Sequence, residues 1–373
     1  MTSKDRVRAA LRHEEPDRVP VGEHEIEFSV IEEALGRPTF YRAKARYDMA
    51  LWDGRRDEVV ASSRVDYVEF VRKCGLDIAW VSLAPGRQQE IEKPKPIGHN
   101  TWEDMRGNIL KLSEESADIL IIKAGTKSVP AEAAARLLPK LDDESRWELL
   151  DYVVEELGAT HYIVAGMGGD TIWYPSGTYL EPWLLKMVED PDGMAEQELK
   201  GAVGLRDRAK QFLDRGCDAV MLGGDYGTEI GPFMSPATFR KVFFPGLKAR
   251  CEQVHAASSP VFFHACGNNR LILDQMVKAG IDVWQAIQPV NKIAEVKKLY
   301  GDRLTLWGGV NTDLFSTGTP QDIRREARFA IARCAPGGGF ILASSHSIMV
   351  GAKYKNFMAM VQAAHNSGTY GAC

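Results

Sequence analysis

Two histidines and a cysteine carry the clearest chemistry in this chain. His264 and Cys266 close the segment Pro260-Val261-Phe262-Phe263-His264-Ala265-Cys266-Gly267-Asn268, where an apolar run that reads as a buried strand ends in polar residues. Side chains alternate along a strand, so residues two apart share a face. Imidazole nitrogen and thiolate sulfur are ligands that zinc prefers, and a catalytic zinc takes three protein ligands while keeping one position open. The third ligand must come from elsewhere. His346 is the best candidate, because Phe340-Ile341-Leu342-Ala343-Ser344-Ser345-His346 is another apolar strand that runs into polar residues. Each residue also has a plain structural reading: a histidine after a strand is often only a hydrogen-bonding group, and a free cysteine packs as a small apolar side chain.

The chain that must position these residues has 373 residues, 45% of them hydrophobic and 26% charged, enough to bury a large core. The formal net charge is −5, and no basic block exceeds pairs such as Arg55-Arg56, so nucleic acid is not an expected partner. The six cysteines (Cys74, Cys217, Cys251, Cys266, Cys334, Cys373) are scattered without a C-x-x-C, and Met1-Thr2-Ser3-Lys4-Asp5 is too polar for a signal peptide. A reducing cytoplasm is the expected location. No apolar run approaches the roughly 18 residues needed to cross a membrane.

Thr2 and Asp5 have capping-box spacing and predict an opening helix, which Pro16-Asp17-Arg18 stops. Val19-Pro20-Val21 then reads as a short strand delivering Glu23 and His24. Residues 38–73 read as charged surface helices, and residues 142–158 as a clear helix. The pattern of helix, glycine and buried strand recurs at Gly75-Leu76-Asp77, Gly216-Cys217-Asp218 and Gly280-Ile281-Asp282, each glycine standing where a helix end needs a left-handed residue. Further strands are expected near residues 161–164, 220–222, 261–263, 283–285, 304–307 and 340–342. Helix starts are expected at Ser235-Pro236 and Thr319-Pro320-Gln321-Asp322. Between about 90 and 130 two short apolar runs predict a β-hairpin insertion within a single domain spanning 1–373.

About eight strands alternating with helices predict a (β/α)8 TIM-type barrel with an N-terminal helical segment. Barrel active sites form where strands run into their following loops. The polar residues at those ends are Glu23, His24, Asp170, Asp225, Tyr226, His264, Cys266, Gln285, Gln288, Asn311, Ser345 and His346, so one rim is expected to collect them. Trp173, Tyr174, Tyr179, Trp183, Phe233 and Trp307 are expected to wall an apolar pocket there.

Five motifs, in order, resemble the uroporphyrinogen decarboxylase superfamily over nearly the whole chain. They are Leu11-Arg12-His13-Glu14-Glu15-Pro16-Asp17-Arg18-Val19-Pro20-Val21, Gly224-Asp225-Tyr226-Gly227-Thr228, Phe263-His264-Ala265-Cys266-Gly267-Asn268, Leu306-Trp307-Gly308-Gly309-Val310 and Ile341-Leu342-Ala343-Ser344-Ser345-His346. That superfamily holds cofactor-free porphyrinogen decarboxylases and zinc-dependent methyltransferases that work with corrinoids. The decarboxylases bind their polyanionic substrate through an arginine-rich loop after the first strand. Here that loop is Gly22-Glu23-His24-Glu25-Ile26-Glu27-Phe28, whose glutamates would repel such a substrate. The methyltransferases carry a His-x-Cys pair that His264 and Cys266 match, which implies zinc. The branch that methylates coenzyme M has a cysteine where this chain has His346, and fewer thiolates leave zinc less suited to activating a further thiol.

The resemblance therefore implies a demethylase that moves a methyl group from a small O- or N-methylated compound, a methoxylated aromatic being favoured, to a corrinoid protein. Its zinc would be held by His264, Cys266 and His346. Asp225 and Glu23 are first choices for protonating the leaving group, or for a fourth resting ligand, with His24 and Tyr226 as hydrogen-bonding partners. The expected partners are the methylated substrate, the corrinoid protein and a second copy in a homodimer. The rival reading is a metal-free decarboxylase of a smaller carboxylate, for which Arg87 or Lys186 would supply the cationic pocket.

Overall fold

Apolar runs without polar interruption form strands whose two faces are both covered. The computed structural model describes residues 1–140, 142–168 and 180–370. Seven such runs make one parallel sheet: β1 (Ile78–Ser82), β6 (Tyr162–Gly166), β7 (Ala219–Gly223), β8 (Val261–His264), β9 (Val283–Ile287), β10 (Thr305–Val310) and β11 (Phe340–Ser344), adjacent in that order. Helices fill the intervals between most of them.

Among the described residues seven strands stand where an eight-stranded barrel is expected. Val19-Pro20-Val21 forms only a single parallel bridge, Val21 to Leu342, because Pro20 has no N–H to donate to a ladder. The segment nevertheless reaches both sheet edges. Leu342 N donates to Pro20 O (2.9 Å) on the β11 side, and Asp77 N donates to Val21 O (2.6 Å) on the β1 side.

Alternation along the strands sorts the core into two layers. Ile78, Trp80, Val164, Met221, Phe262, Val283, Trp307 and Ile341 form an inner cluster, joined by Val7 and Ala10 of the opening helix (Ser3–Leu11). Their neighbours in sequence, such as Val81, Leu222, Phe263 and Trp284, face the outer helices. The opening helix has the expected capping box of Thr2 and Asp5. It sits against the N-terminal ends of the strands: Lys4 N donates to Thr160 O, and Gly339 N donates to Ala10 O.

The glycine repeat has a second function that its aspartates perform. Asp77 accepts from Val21 N (2.8 Å), Asp218 from Ile163 N (3.0 Å) and Asp282 from Val261 N (2.7 Å). Each carboxylate thus ties its own strand to the neighbouring preceding one, fixing register at the end remote from the rim. The three glycines are left-handed, as their place after a helix requires.

The insertion is larger than a hairpin. β2 (Lys95–Gly98), β3 (Thr101–Glu103), β4 (Ile109–Ser113) and β5 (Asp118–Lys123) form a four-stranded antiparallel sheet, because Thr101-Trp102-Glu103 and the residues around Pro96 also pair. Among the described residues no helix is long and apolar enough to cross a membrane, and Cys74, Cys217, Cys251, Cys266 and Cys334 form no disulfide.

Candidate metal centre

His264 is the last residue of β8, Cys266 follows two residues on, and His346 lies two residues beyond β11. The tertiary fold brings all three together. One imidazole nitrogen from each histidine and Cys266 Sγ lie within 4.8 Å of one another. Ligands of a tetrahedral zinc with bonds of 2.0–2.3 Å are about 3.3–3.8 Å apart, so small side-chain adjustments of about 1 Å would close the set. The three groups are partly buried, which leaves an open side.

The surroundings favour the ligating form of the histidines and hold Cys266 as a thiol, which a bound cation would have to deprotonate. Gln285, fully buried in β9, offers Oε1 to His264 Nδ1. That bond places the ring proton on Nδ1 and leaves Nε2 bare toward the site. Burial, with His264 beside it, holds His346 below the usual imidazole range and therefore neutral. Burial pushes the Cys266 thiol up to about 12, and the neighbouring Asp225 carboxylate adds to the effect. A thiol and a carboxylate crowded against two imidazoles is a donor set that a divalent cation would satisfy, and the residues fit zinc.

The Cys266 turn is rigidly held. Gly267 is left-handed, and a Cβ there would come within 2.2 Å of Gly227. Asn269 Nδ2 donates to Cys266 O (2.8 Å), and Asn291 Nδ2 donates to Gly267 O (2.8 Å). Ala286 adopts φ 72°, a costly conformation for a residue with a side chain, directly after Gln285. Sequence reading placed Gln285 and Gln288 on the rim but missed Asn269 and Asn291. Their signal was faint: asparagines just beyond a strand end, among many polar loop residues.

The other expected site residues divide. Asp225 Oδ1 is 3.6 Å from His264 Nε2 and accepts from Cys266 N (3.3 Å), so it stands beside the trio without joining the mutually close set. The His24 ring is 4.9 Å from that of His264 and 4.8 Å from that of Trp80, and burial, then the neighbouring His264, depresses its basicity far below normal. Glu23 lies elsewhere, with its oxygens 2.7 Å from Ser344 N and 2.7 Å from Ser344 Oγ. The single Ser344 hydroxyl proton is also directed at the His346 carbonyl. Ser344 N and Ser344 Oγ donate to the Glu23 carboxyl, and burial nevertheless raises it to about 8.

Tyr226 does not join the site. Asp225 shares the inward parity of Ala219, Met221 and Gly223, so Tyr226 points outward, fully buried against Phe239, Phe243 and Phe263. The aromatic wall also differs from expectation. Trp307 is core, its indole N–H donating to Gly22 O (2.8 Å), and Trp183 packs near Phe243. Asp170, Trp173, Tyr174 and Tyr179 lie outside the described residues. The three glutamates after the bridge are not free: Glu25 and Glu27 both pair with Arg42. Arg87, suggested for a carboxylate pocket, is an exposed partner of Asp57 and Glu148, and Lys186 is exposed.

A methylcobamide:CoM methyltransferase, MtaA, of Methanosarcina barkeri is 26% identical over 224 residues, covering 58% of this chain and 61% of that protein. Its counterpart from the Fusaro strain is 26% identical over 219 residues with the same coverage. The chain thus spans about three fifths of the length of these curated relatives. A methyltransferase from Methanosarcina mazei shares the fold with a TM-score of 0.66 at 19% identity, over 98% of this chain and 99% of that one. The sequence model described as "Uroporphyrinogen decarboxylase (URO-D)" matches residues 176–367, just over half of the chain and including all three ligand positions, and the chain belongs to that family.

Proposed function

We propose that the protein is a zinc-dependent methyltransferase that demethylates a small O- or N-methylated compound and passes the methyl group to a corrinoid carried by a separate protein. The observation that carries this reading is the convergence of His264, Cys266 and His346 from two separate strand ends. The names of the sequence relatives support a corrinoid partner. Bound zinc would act as a Lewis acid on the heteroatom that bears the methyl group.

The chain's own residues would supply the rest. Gln285 holds His264 in the ligating tautomer. Asp225, beside His264 Nε2, is placed to hold a proton for the leaving heteroatom. The methyl group would pass to the reduced corrinoid of the partner with the electron pair supplied there, while the leaving heteroatom would keep the pair of the broken bond and take the proton that Asp225 holds. His24, neutral and with an unpartnered Nδ1, would hydrogen-bond substrate. Glu23 acts at one remove, through Ser344, on the backbone of His346.

The test is metal content of protein purified without oxygen or chelator. About one zinc per chain, lost in Cys266→Ser, His264→Ala and His346→Ala, is expected. A wild type that carries no zinc and cannot be loaded with it would overturn the reading in favour of the metal-free decarboxylase.

A further inference from the structure

A cavity of about 330 Å³ opens between the rim of β1 and residues 41–48. That is the size of a site for a small organic molecule. Tyr41, Tyr47 and Trp80 contribute rings to its wall, and Glu27, Asp48 and Arg42 contribute charge. The Trp80 ring touches His24, which touches His264, so the cavity is two ring contacts from a metal-site histidine.

Unmet hydrogen-bonding atoms collect at this place. Trp80 Nε1, Glu27 Oε2 and Arg42 Nε belong to cavity-lining residues and have no partner, and His24 Nδ1 beside them is a fourth. Trp80 is 7% exposed and Glu27 is 4% exposed. Buried polar atoms are almost always paired, so a collection of orphans around a hollow marks a ligand that brings the partners.

The charges say what kind of ligand. Arg42 Nη2 pairs with both Glu25 (2.8 Å) and Glu27 (2.9 Å), and Lys44 pairs with Asp118 (3.0 Å). Asp48 is left without a cation, its carboxyl raised to about 6 by burial and then by Asp118. Three lining carboxylates (Glu27, Asp48 and Asp118) against two cations, in a hollow faced by three aromatic rings, attract a positive group and repel a carboxylate. The indole N–H of Trp80 and the Nε–H of Arg42 call in addition for an uncharged acceptor on the ligand.

We propose that this cavity receives the end of the substrate remote from the transferred methyl group, and that this end is an ammonium rather than a carboxylate. The word substrate rests on the methyl-transfer reading above. The class is thus a small methyl ether that carries an amine.

Calorimetric titration of the full chain with 4-methoxybenzylammonium and with 4-methoxybenzoate tests this. The ammonium is expected to bind at least about tenfold more tightly, and Asp48→Asn and Glu27→Gln each to weaken it about tenfold, the scale of one lost charge contact. Asp48→Asn breaks no ion pair, so it remains informative if Glu27→Gln fails to fold. Asp48→Asn and Glu27→Gln should keep the zinc content of wild type while losing affinity for the ammonium, which separates this proposal from the zinc reading. The proposal is overturned if the benzoate binds as tightly as the ammonium, if the ammonium shows no binding, or if both cavity variants bind it within about twofold of wild type.

Discussion

Gln285 offers a sharp test of how the fold prepares the metal centre. Its side chain is fully buried, its Oε1 accepts from His264 Nδ1, and its Nε2 has no partner. Replacing it by leucine keeps the approximate volume and removes the acceptor. His264 then loses the bond that keeps its proton on Nδ1, and the tautomer with a protonated Nε2 cannot ligate. Loss of an outer-shell partner of a ligating histidine typically weakens metal binding 10–100-fold, or about 1.4–2.7 kcal/mol. Folding stability should change by less than about 1 kcal/mol, because the same substitution removes an unpaired buried donor. Competition for zinc with a chromophoric chelator measures the first quantity, and urea unfolding of the metal-free protein measures the second. Gln285→Glu restores an acceptor and should recover most of the affinity. The reasoning fails if Gln285→Leu binds zinc within about twofold of wild type, or if Gln285→Glu is as impaired as Gln285→Leu.

Two further outcomes follow from buried carboxyl groups. Glu23 has its carboxyl raised to about 8 from the ordinary 4.5, with burial the main cause, so the folded chain holds a proton that the unfolded chain releases between those values. Its contribution is fully present below about pH 4.5 and is lost as pH rises toward about 8, so the urea midpoint of wild type should fall across that window more than that of Glu23→Gln. Equal slopes for the two proteins would contradict a neutral Glu23. Asp77 is fully buried and accepts from Arg6 (2.7 Å), Arg18 (2.7 Å) and Val21 N (2.8 Å); Asp77→Ala should cost about 3–5 kcal/mol by leaving Arg18 without its carboxylate and Val21 N without its acceptor, while Arg6 keeps Asp17, measured by chemical denaturation, and a cost below about 1 kcal/mol would show that the ties between strands matter little.

Much of this arrangement was legible in local sequence. The capping boxes of Thr2 with Asp5 and Thr319 with Asp322 form as spacing requires, and the apolar runs became strands because nothing polar interrupts them. His264 and Cys266 were legible as a pair because two-residue spacing on a strand end dictates a shared direction. The same parity rule, applied to Asp225 and Tyr226, would have sent one inward and the other outward before any coordinates were known. Rim position alone obscured that difference.

Other features depended on partners distant in the chain. Pro20 marked the weakness of the first strand, yet only its pairing with Leu342 reduced it to a bridge. Strand parity, which turns Ile341 and Ala343 inward, would turn His346 outward with Leu342, so its approach to His264 is a property of the folded rim. The tautomer of His264, the hydrogen bonding of Glu23 and the cavity beside Trp80 likewise depend on Gln285, Ser344 and Arg42, each far from its partner in sequence. Sequence by itself determined which residues could bind a metal and which segments would be strands, because periodicity and ligand chemistry are local. Tertiary structure decided which of those residues meet and in which protonation state, because burial and long-range hydrogen bonds exist only once the strands stand side by side.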